Sequence, residues 1–109
     1  WQGKIALPYP SDYGYAANLG KCLDKNLASY NDATCTSNNW MKAITASSSD
    51  WLLTSDSDNA YGVSFISSFG DVYYYNSSTV YGITPVLYLN PEIGVKGTGS
   101  SSAPYQISA

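Results

Sequence analysis

DWLLTSDSDNAYGVSFISSFGDVYYYN, residues 50–76, holds three β-type runs separated by turn chemistry. DWLLTS (50–55) and VSFIS (63–67) flank the polar stretch SDSDNAYG, whose Asp, Asn, Ser and Gly are turn formers. SFGD (68–71) follows, and then VYYYN (72–76), a spacing that fits a hairpin turning near Phe69-Gly70-Asp71. Apolar residues here recur with a period of two, the signature of half-buried strands.

Tyr73, Tyr74 and Tyr75 are adjacent, and neighbours in a strand point to opposite faces. Tyr73 and Tyr75 therefore share one side, and Val72 and Tyr74 the other. In a purely structural reading, Val72 and Tyr74 enter the core, the Tyr74 hydroxyl finds a partner, and Tyr73 and Tyr75 cover the outer face as good strand formers. In a functional reading, Tyr73 and Tyr75 lie beside Tyr61, Tyr81 or Tyr88 on a ligand-facing surface. The turn carrying Asp56, Asp58 and Asn59 then forms its polar rim. Tyrosine suits such a surface because it combines large contact area, low entropy cost and a hydroxyl.

Downstream, STVYG (78–82) reads as a loop or edge, and ITPVLYLN (83–90) as the most strongly β stretch. Two short strands are expected around Ile93–Val95 and Tyr105–Ile107, with Gly97, Gly99 and three serines between them. Upstream, Lys4-Ile5-Ala6-Leu7 alternates as a short strand that Pro8 and Pro10 end. Ser11-Asp12-Tyr13-Gly14 has turn chemistry. NLGKCLDKNLASYN (18–31) predicts a helix, with Leu19, Cys22, Leu23, Leu27 and Tyr30 on one stripe and Asn18 as N-cap. SNNWMKAI (37–44) predicts a second, shorter helix capped by Ser37 or Asn38, with Trp40, Met41 and Ile44 inward. TASSSD (45–50) reads as a loop. A strand, two helices and then antiparallel strands make an α+β domain with segregated helices. No repeat of 20 to 50 residues is visible.

The chain has 109 residues, enough for one domain with one core. Charged residues make up 12%, about half the usual share, so Ser, Asn, Thr and Tyr do the solubilising. That profile suits an extracellular surface. There is no His and no Arg; the cations are Lys4, Lys21, Lys25, Lys42 and Lys96, scattered among eight carboxylates. No phosphate-neutralising stripe results, which argues against nucleic acid and against anionic membrane surfaces. No apolar run reaches the roughly 18 residues of a spanning helix. Cys22 and Cys35, with twelve residues between them, are either two buried thiols or one short-loop disulfide. The charge-poor, polar surface favours the disulfide, since secreted proteins retain such bonds. The chain begins at Trp1, so residues 1–109 read as a processed or trimmed piece, the C-terminal module of a longer precursor.

Five stretches in order, WQGKIALPYPSDYGYA, NNWM, WLLTS, YGITPVLYLNPEI and GTGSSSAPYQIS, resemble a C-type-lectin-like module found in surface proteins of Firmicutes and related gut bacteria. That module often sits behind a type IV pilin-like N-terminal helix. The late strand is similar to the family's G-[VIF]-R-P-V-L-x-L and, more distantly, to the formylglycine-generating-enzyme superfamily. The resemblance spans nearly the whole chain and implies a C-type-lectin-like fold, two short helices before a twisted antiparallel sheet, on a pilus or cell surface. The chain departs from the family in three places. Thr84 stands where Arg usually precedes Pro. Both cysteines lie before residue 36, whereas the usual lectin disulfide joins the first helix to the last strand. The Glu-Pro-Asn or Gln-Pro-Asp loop of calcium-dependent sugar binding is missing. Calcium-dependent lectin activity is therefore not implied.

Nucleophilic hydrolysis needs a base beside the nucleophile, usually histidine, and the chain has none. Asp12, Asp24, Asp32, Asp50, Asp56, Asp58, Asp71 and Glu92 could in principle supply a glycosidase pair, but most fall in polar turns where carboxylates stay solvated. SDSDNAYG offers hard oxygen ligands, yet Ala60 stands where an EF-hand needs a ligand and no glutamate closes the loop, so a solvated turn is the reading and no metal or other cofactor is expected. Asn76-Ser77-Ser78 matches a glycosylation sequon, of little weight in the bacterial setting that the resemblance implies. The expectation is a non-catalytic binding or adhesion module whose partner is a glycan or a surface protein. The rival is the structural head of a filament-forming pilin, whose partners are other pilin subunits. A carboxylate enzyme is the third class.

Overall fold

The computed structural model describes residues 5–45, 48–90, 92–100 and 102–108. Strands β1 (Asp50–Ser55), β2 (Gly62–Ile66) and β3 (Val72–Asn76) form an antiparallel sheet in that order. Trp51 pairs with Phe65 and Ser55 with Val63, with an irregularity between Trp51 and Ser55. Val63 pairs with Tyr75, Ser64 with Tyr74, Phe65 with Tyr73 and Ile66 with Val72. The β2–β3 turn closes through Ser67 N–H to Asp71 O and Gly70 N–H to Ser67 O. Gly70 has φ 100°, and a Cβ there would strike Thr36 Cγ2, so only glycine fits without strain. A separate two-stranded ribbon pairs β4 (Val95–Lys96) with β5 (Gln106–Ile107); β5 lies inside the expected Tyr105–Ile107, whereas β4 shares only Val95 with the expected Ile93–Val95. The chain is α+β, as expected.

The helical half departs from expectation. Four short α-helices precede the sheet among the described residues: α1 (Pro10–Tyr15), α2 (Leu19–Cys22), α3 (Ala33–Thr36) and α4 (Trp40–Thr45). The stretch expected to turn at 11–14 is α1. Pro10 opens it, and the Asp12 carboxylate accepts the Tyr9 N–H at 2.8 Å, which together start a helix. The single helix expected over 18–31 is broken. α2 stops after one turn, and a 3-10 turn at Leu27–Ser29 replaces its second half. Asn26 causes the break by capping Ala28 N–H with its own side chain. The Tyr30 hydroxyl then donates back to Cys22 O at 3.3 Å. Isolated helices this short are marginal in water, so tertiary contacts decide where they end. Leu19 and Leu23 are exposed, contrary to the expected stripe, while Cys22 and Tyr30 are buried.

α4 also differs. Its start is capped by Asn39, whose Oδ1 accepts Met41 N–H and Lys42 N–H, not by Ser37 or Asn38. Met41 and Lys42 are buried, whereas Trp40 is 59% and Ile44 60% exposed, so two of the three residues expected inward face solvent. The loop expected at 45–50 is shortened from both ends by Thr45 in α4 and Asp50 in β1; residues 46 and 47 lie outside the described residues.

The core joins Leu52, Ile66 and Val72 from the sheet to Tyr13, Ala16, Ala17, Cys22, Tyr30, Cys35 and Met41 from the helices. Fully burying one such aliphatic side chain contributes about 1.5–3 kcal/mol. Cys22 and Cys35 form a disulfide that ties α2 to α3. Tyr74 lies on the core side of β3, opposite Ser64, but is 47% exposed because the core ends near Val72. It is not the core tyrosine that the alternation suggested.

ITPVLYLN is not a strand. Gly82 makes a lone parallel bridge with Asp50, and Val86 a lone antiparallel bridge with Ala6. Pro85 has no N–H to donate, and the Thr84 side chain turns onto the Asp50 carboxylate at 2.5 Å. The edge of β1 is already taken up, since Leu53 N–H donates to Pro8 O and Trp51 N–H to Gly82 O. The expected strand at residues 4–7 reduces to the Ala6 bridge, and Lys4 is outside the described residues. Asp50 and Asp71 are buried rather than solvated. Among the described residues no helix is long and apolar enough to cross a membrane.

Candidate functional site

Strand alternation puts Trp51 and Phe65, together with Val63, Tyr73 and Tyr75, on the sheet face away from the core. Tyr81, carried back over that face by the turn after β3, lies 4.8 Å from both Trp51 and Phe65, centroid to centroid, and 6.3 Å from Tyr75. Trp51–Phe65 and Phe65–Tyr75 complete the cluster at 6.2 and 6.3 Å. Each such pair adds about 0.5–1.5 kcal/mol beyond its burial. Phe65 is covered by its neighbours, whereas Tyr75 keeps half its surface in solvent. The result is a pre-packed aromatic platform with rings available at its margin.

The other sequence-identified residues distribute around it. Tyr73 shares the face, but its hydroxyl donates to Ala28 O of the 3-10 turn at 3.3 Å, which anchors it sideways. Tyr61 is exposed in the turn before β2. Asp56 and Asn59 use their side chains within that turn, accepting Asp58 N–H and Tyr61 N–H respectively. Asp58 accepts from the Ser57 hydroxyl at 3.3 Å. These are Asx-type turn bonds, and none of them reaches the aromatic platform. No group of three or more Cys, Asp or Glu able to hold a metal occurs among the described residues.

Tyr88 is not part of that platform. Its hydroxyl donates to Asp12 Oδ2 at 2.7 Å, across 76 positions of sequence. That hydrogen bond holds the Tyr88 phenol above its ordinary pKa, with a smaller effect from burial, so it stays protonated and donating. Asp12 and Tyr88 line a depression of about 270 Å³ together with Tyr15, Trp40, Met41 and Leu87. Tyr15 is 72% and Tyr88 68% exposed there. Sequence reasoning missed this constellation: Asp12 reads as turn chemistry and Trp40 as core. The residues come from three separated segments, so no spacing signals them.

Lys25 and Asp32 form an ion pair at 2.7 Å, and the Lys25 bond, with Thr34 N–H, lowers the Asp32 pKa to about 2. In comparison with known proteins, the chain matches no family model, no curated protein and no solved structure.

Proposed function

We propose that this chain is a non-catalytic extracellular binding module of C-type-lectin-like fold, displayed on a bacterial pilus or surface protein, that recognises a glycan or a surface protein through its aromatic sheet face. The observation that supports this reading best is the seating of Tyr81 over Phe65 between Trp51 and Tyr75. Such packing holds rings rigid before a ligand arrives, which lowers the ordering cost of binding. Tyrosine and tryptophan dominate the energetics of binding surfaces for the same reason. The disulfide supports an oxidising, extracellular setting. A glycan array and a cell-adhesion assay test the reading, with wild type beside Tyr73→Ala and Tyr75→Ala. Wild type should bind, and Tyr75→Ala should weaken binding by about tenfold or more, the scale of an interface hot spot. Wild-type protein that binds neither glycan nor cells would refute the reading.

A second reading, the head of a filament-forming pilin-like subunit, is favoured by large apolar side chains left in solvent, with Val80, Phe69 and Leu23 the most exposed. Contacts between subunits in a filament would take such side chains out of water, which is favourable. Filaments in micrographs of the full-length protein, decorated by antibodies to this domain, would support it; bare cells would not.

A further inference from the structure

The geometry points to a second ligand surface, on the helical side of the molecule, that takes a neutral oligosaccharide across Tyr15 and Trp40. The inference rests on the glycan form of the proposed function and assigns it a different site.

Three depressions lie in a row there. The first, about 220 Å³, runs between α1 and α2 and is floored by Leu19, Leu23 and Leu27. Tyr15 lines it and also lines the second, about 270 Å³, which holds Asp12 and Tyr88. Trp40 in turn lines both the second and the third, about 660 Å³, whose wall carries Ser37, Asn38 and Ser100. Tyr15 and Trp40 are thus two exposed aromatic ridges separating successive hollows. The segments that carry them are tied together by hydrogen bonds. Trp40 N–H donates to Ala16 O at 3.3 Å, and Asn39 Nδ2 donates to Tyr13 O at 2.9 Å.

The chemistry alternates along this run. Aromatic rings offer apolar faces; a carboxylate and a phenol stand between them, and hydroxyls and an amide follow beyond Trp40. A pyranose has the matching pattern: a face of C–H groups that stacks on a ring, and an edge of hydroxyls that hydrogen-bond. Asp12 is prepared as an acceptor. Its Oδ2 takes Tyr9 N–H and the Tyr88 hydroxyl, while Oδ1 accepts nothing among the described residues and is open to a sugar hydroxyl. An apolar peptide or a lipid would desolvate Oδ1 without giving it a donor.

Charge selects among sugars. No lysine lines any of the three depressions, and the chain carries no Arg and a net charge of −3. Asp12 at the centre repels carboxylated or sulfated glycans, so the ligand is neutral. Two ridges and three hollows call for several linked residues rather than a monosaccharide.

The test titrates the protein with cellohexaose, maltohexaose and chitohexaose, and with hexagalacturonate as the anionic counterpart, followed by NMR chemical shifts and tryptophan fluorescence. At least one neutral hexamer should bind and perturb Tyr15, Trp40 and Tyr88, while hexagalacturonate should not. Trp40→Ala should weaken binding about tenfold or more. Trp40→Phe, which keeps a ring, should retain most of it, and Asp12→Asn should lose affinity. Ser78→Ala, on the exposed turn after β3, should match wild type. Unchanged melting temperatures for the Trp40 variants exclude unfolding as the cause. Wild type that binds glycans or cells but is insensitive to Trp40→Ala overturns this site and leaves the proposed function standing. Wild type that binds no glycan and no cells overturns both. Tighter binding of the anionic hexamer, or shifts at Trp40 with an apolar peptide and with no sugar, also overturns it.

Discussion

The Tyr13 hydroxyl donates to the Gly70 carbonyl oxygen at 2.6 Å, joining α1 to the β2–β3 turn across 57 positions of sequence. Both residues are buried, so Tyr13→Phe leaves a carbonyl without its donor in the interior. The expected cost is about 1–3 kcal/mol, and each 1 kcal/mol lowers the melting temperature of a domain this size by about 4–8 °C. Burial, then the Asp71 charge and Tyr30, push the Tyr13 phenol well above its ordinary value of 10.0. The folded state therefore prefers the neutral phenol. Its contribution is fully present below the unfolded pKa of about 10 and is lost as pH rises through the folded value. Denaturant melts from pH 8 to 12 should show a steeper alkaline loss in wild type than in Tyr13→Phe.

The Cys22–Cys35 bond closes a short loop, and in the chain-entropy model such a loop contributes about 3 kcal/mol. Reduction should lower the melting temperature by ten degrees or more, on the order of the same scaling. Thiol titration of denatured, unreduced protein should find no free cysteine; two thiols would contradict the bond.

Neighbouring leucines in β1 should respond differently. Leu52 is buried in the core, so Leu52→Ala should cost about 2–5 kcal/mol. Leu53 is partly exposed on the other side, and Leu53→Ala should cost under about 1 kcal/mol. Chemical denaturation with equal m-values for the two variants checks the contrast.

Thr84 holds a buried carboxylate. Its hydroxyl donates to Asp50 Oδ2, while Ser48 donates to Oδ1 at 3.1 Å. Thr84→Val keeps the shape and removes the donor, which should cost about 1.5–3 kcal/mol, the range for hydrogen bonds to charged groups. Thr84→Ser should recover most of that stability.

Asp32 should titrate near pH 2, held down first by its Lys25 bond and then by Thr34 N–H. Its stabilising effect is present above the unfolded pKa of about 4 and is lost as pH falls through the folded value near 2. Side-chain carboxyl NMR reads the titration directly. Lys25→Met should move it toward the ordinary carboxylate range, and high salt should do so in part.

Much of the sheet was legible because its signals are local. The bounds of DWLLTS and VYYYN match β1 and β3, and the turn at Gly70 lies where its chemistry placed it. Trp51, Phe65 and Tyr75 share a face because a period of two assigns faces without any knowledge of the rest of the chain. The same alternation overreached at Tyr74, since it names the side of a sheet but not where the core on that side ends. ITPVLYLN failed for a related cause: β propensity records fitness for a pleated surface, and β1 had no free edge to offer it.

Residue order alone was sufficient for the α+β class and the antiparallel hairpins, because their signals lie in residues close together along the chain; it favoured the Cys22–Cys35 bond over two buried thiols, and the 5.8 Å approach of the two Cα atoms decided it. Long-range docking settled the rest. Helices of one or two turns take their ends and exposed faces from what they pack against, which is why Asn39 rather than Ser37 opens α4 and Trp40 faces solvent. Asp12, Tyr15, Trp40 and Tyr88 meet only when α1, α4 and the 86–88 segment converge, and that convergence depends on the packing of the whole core.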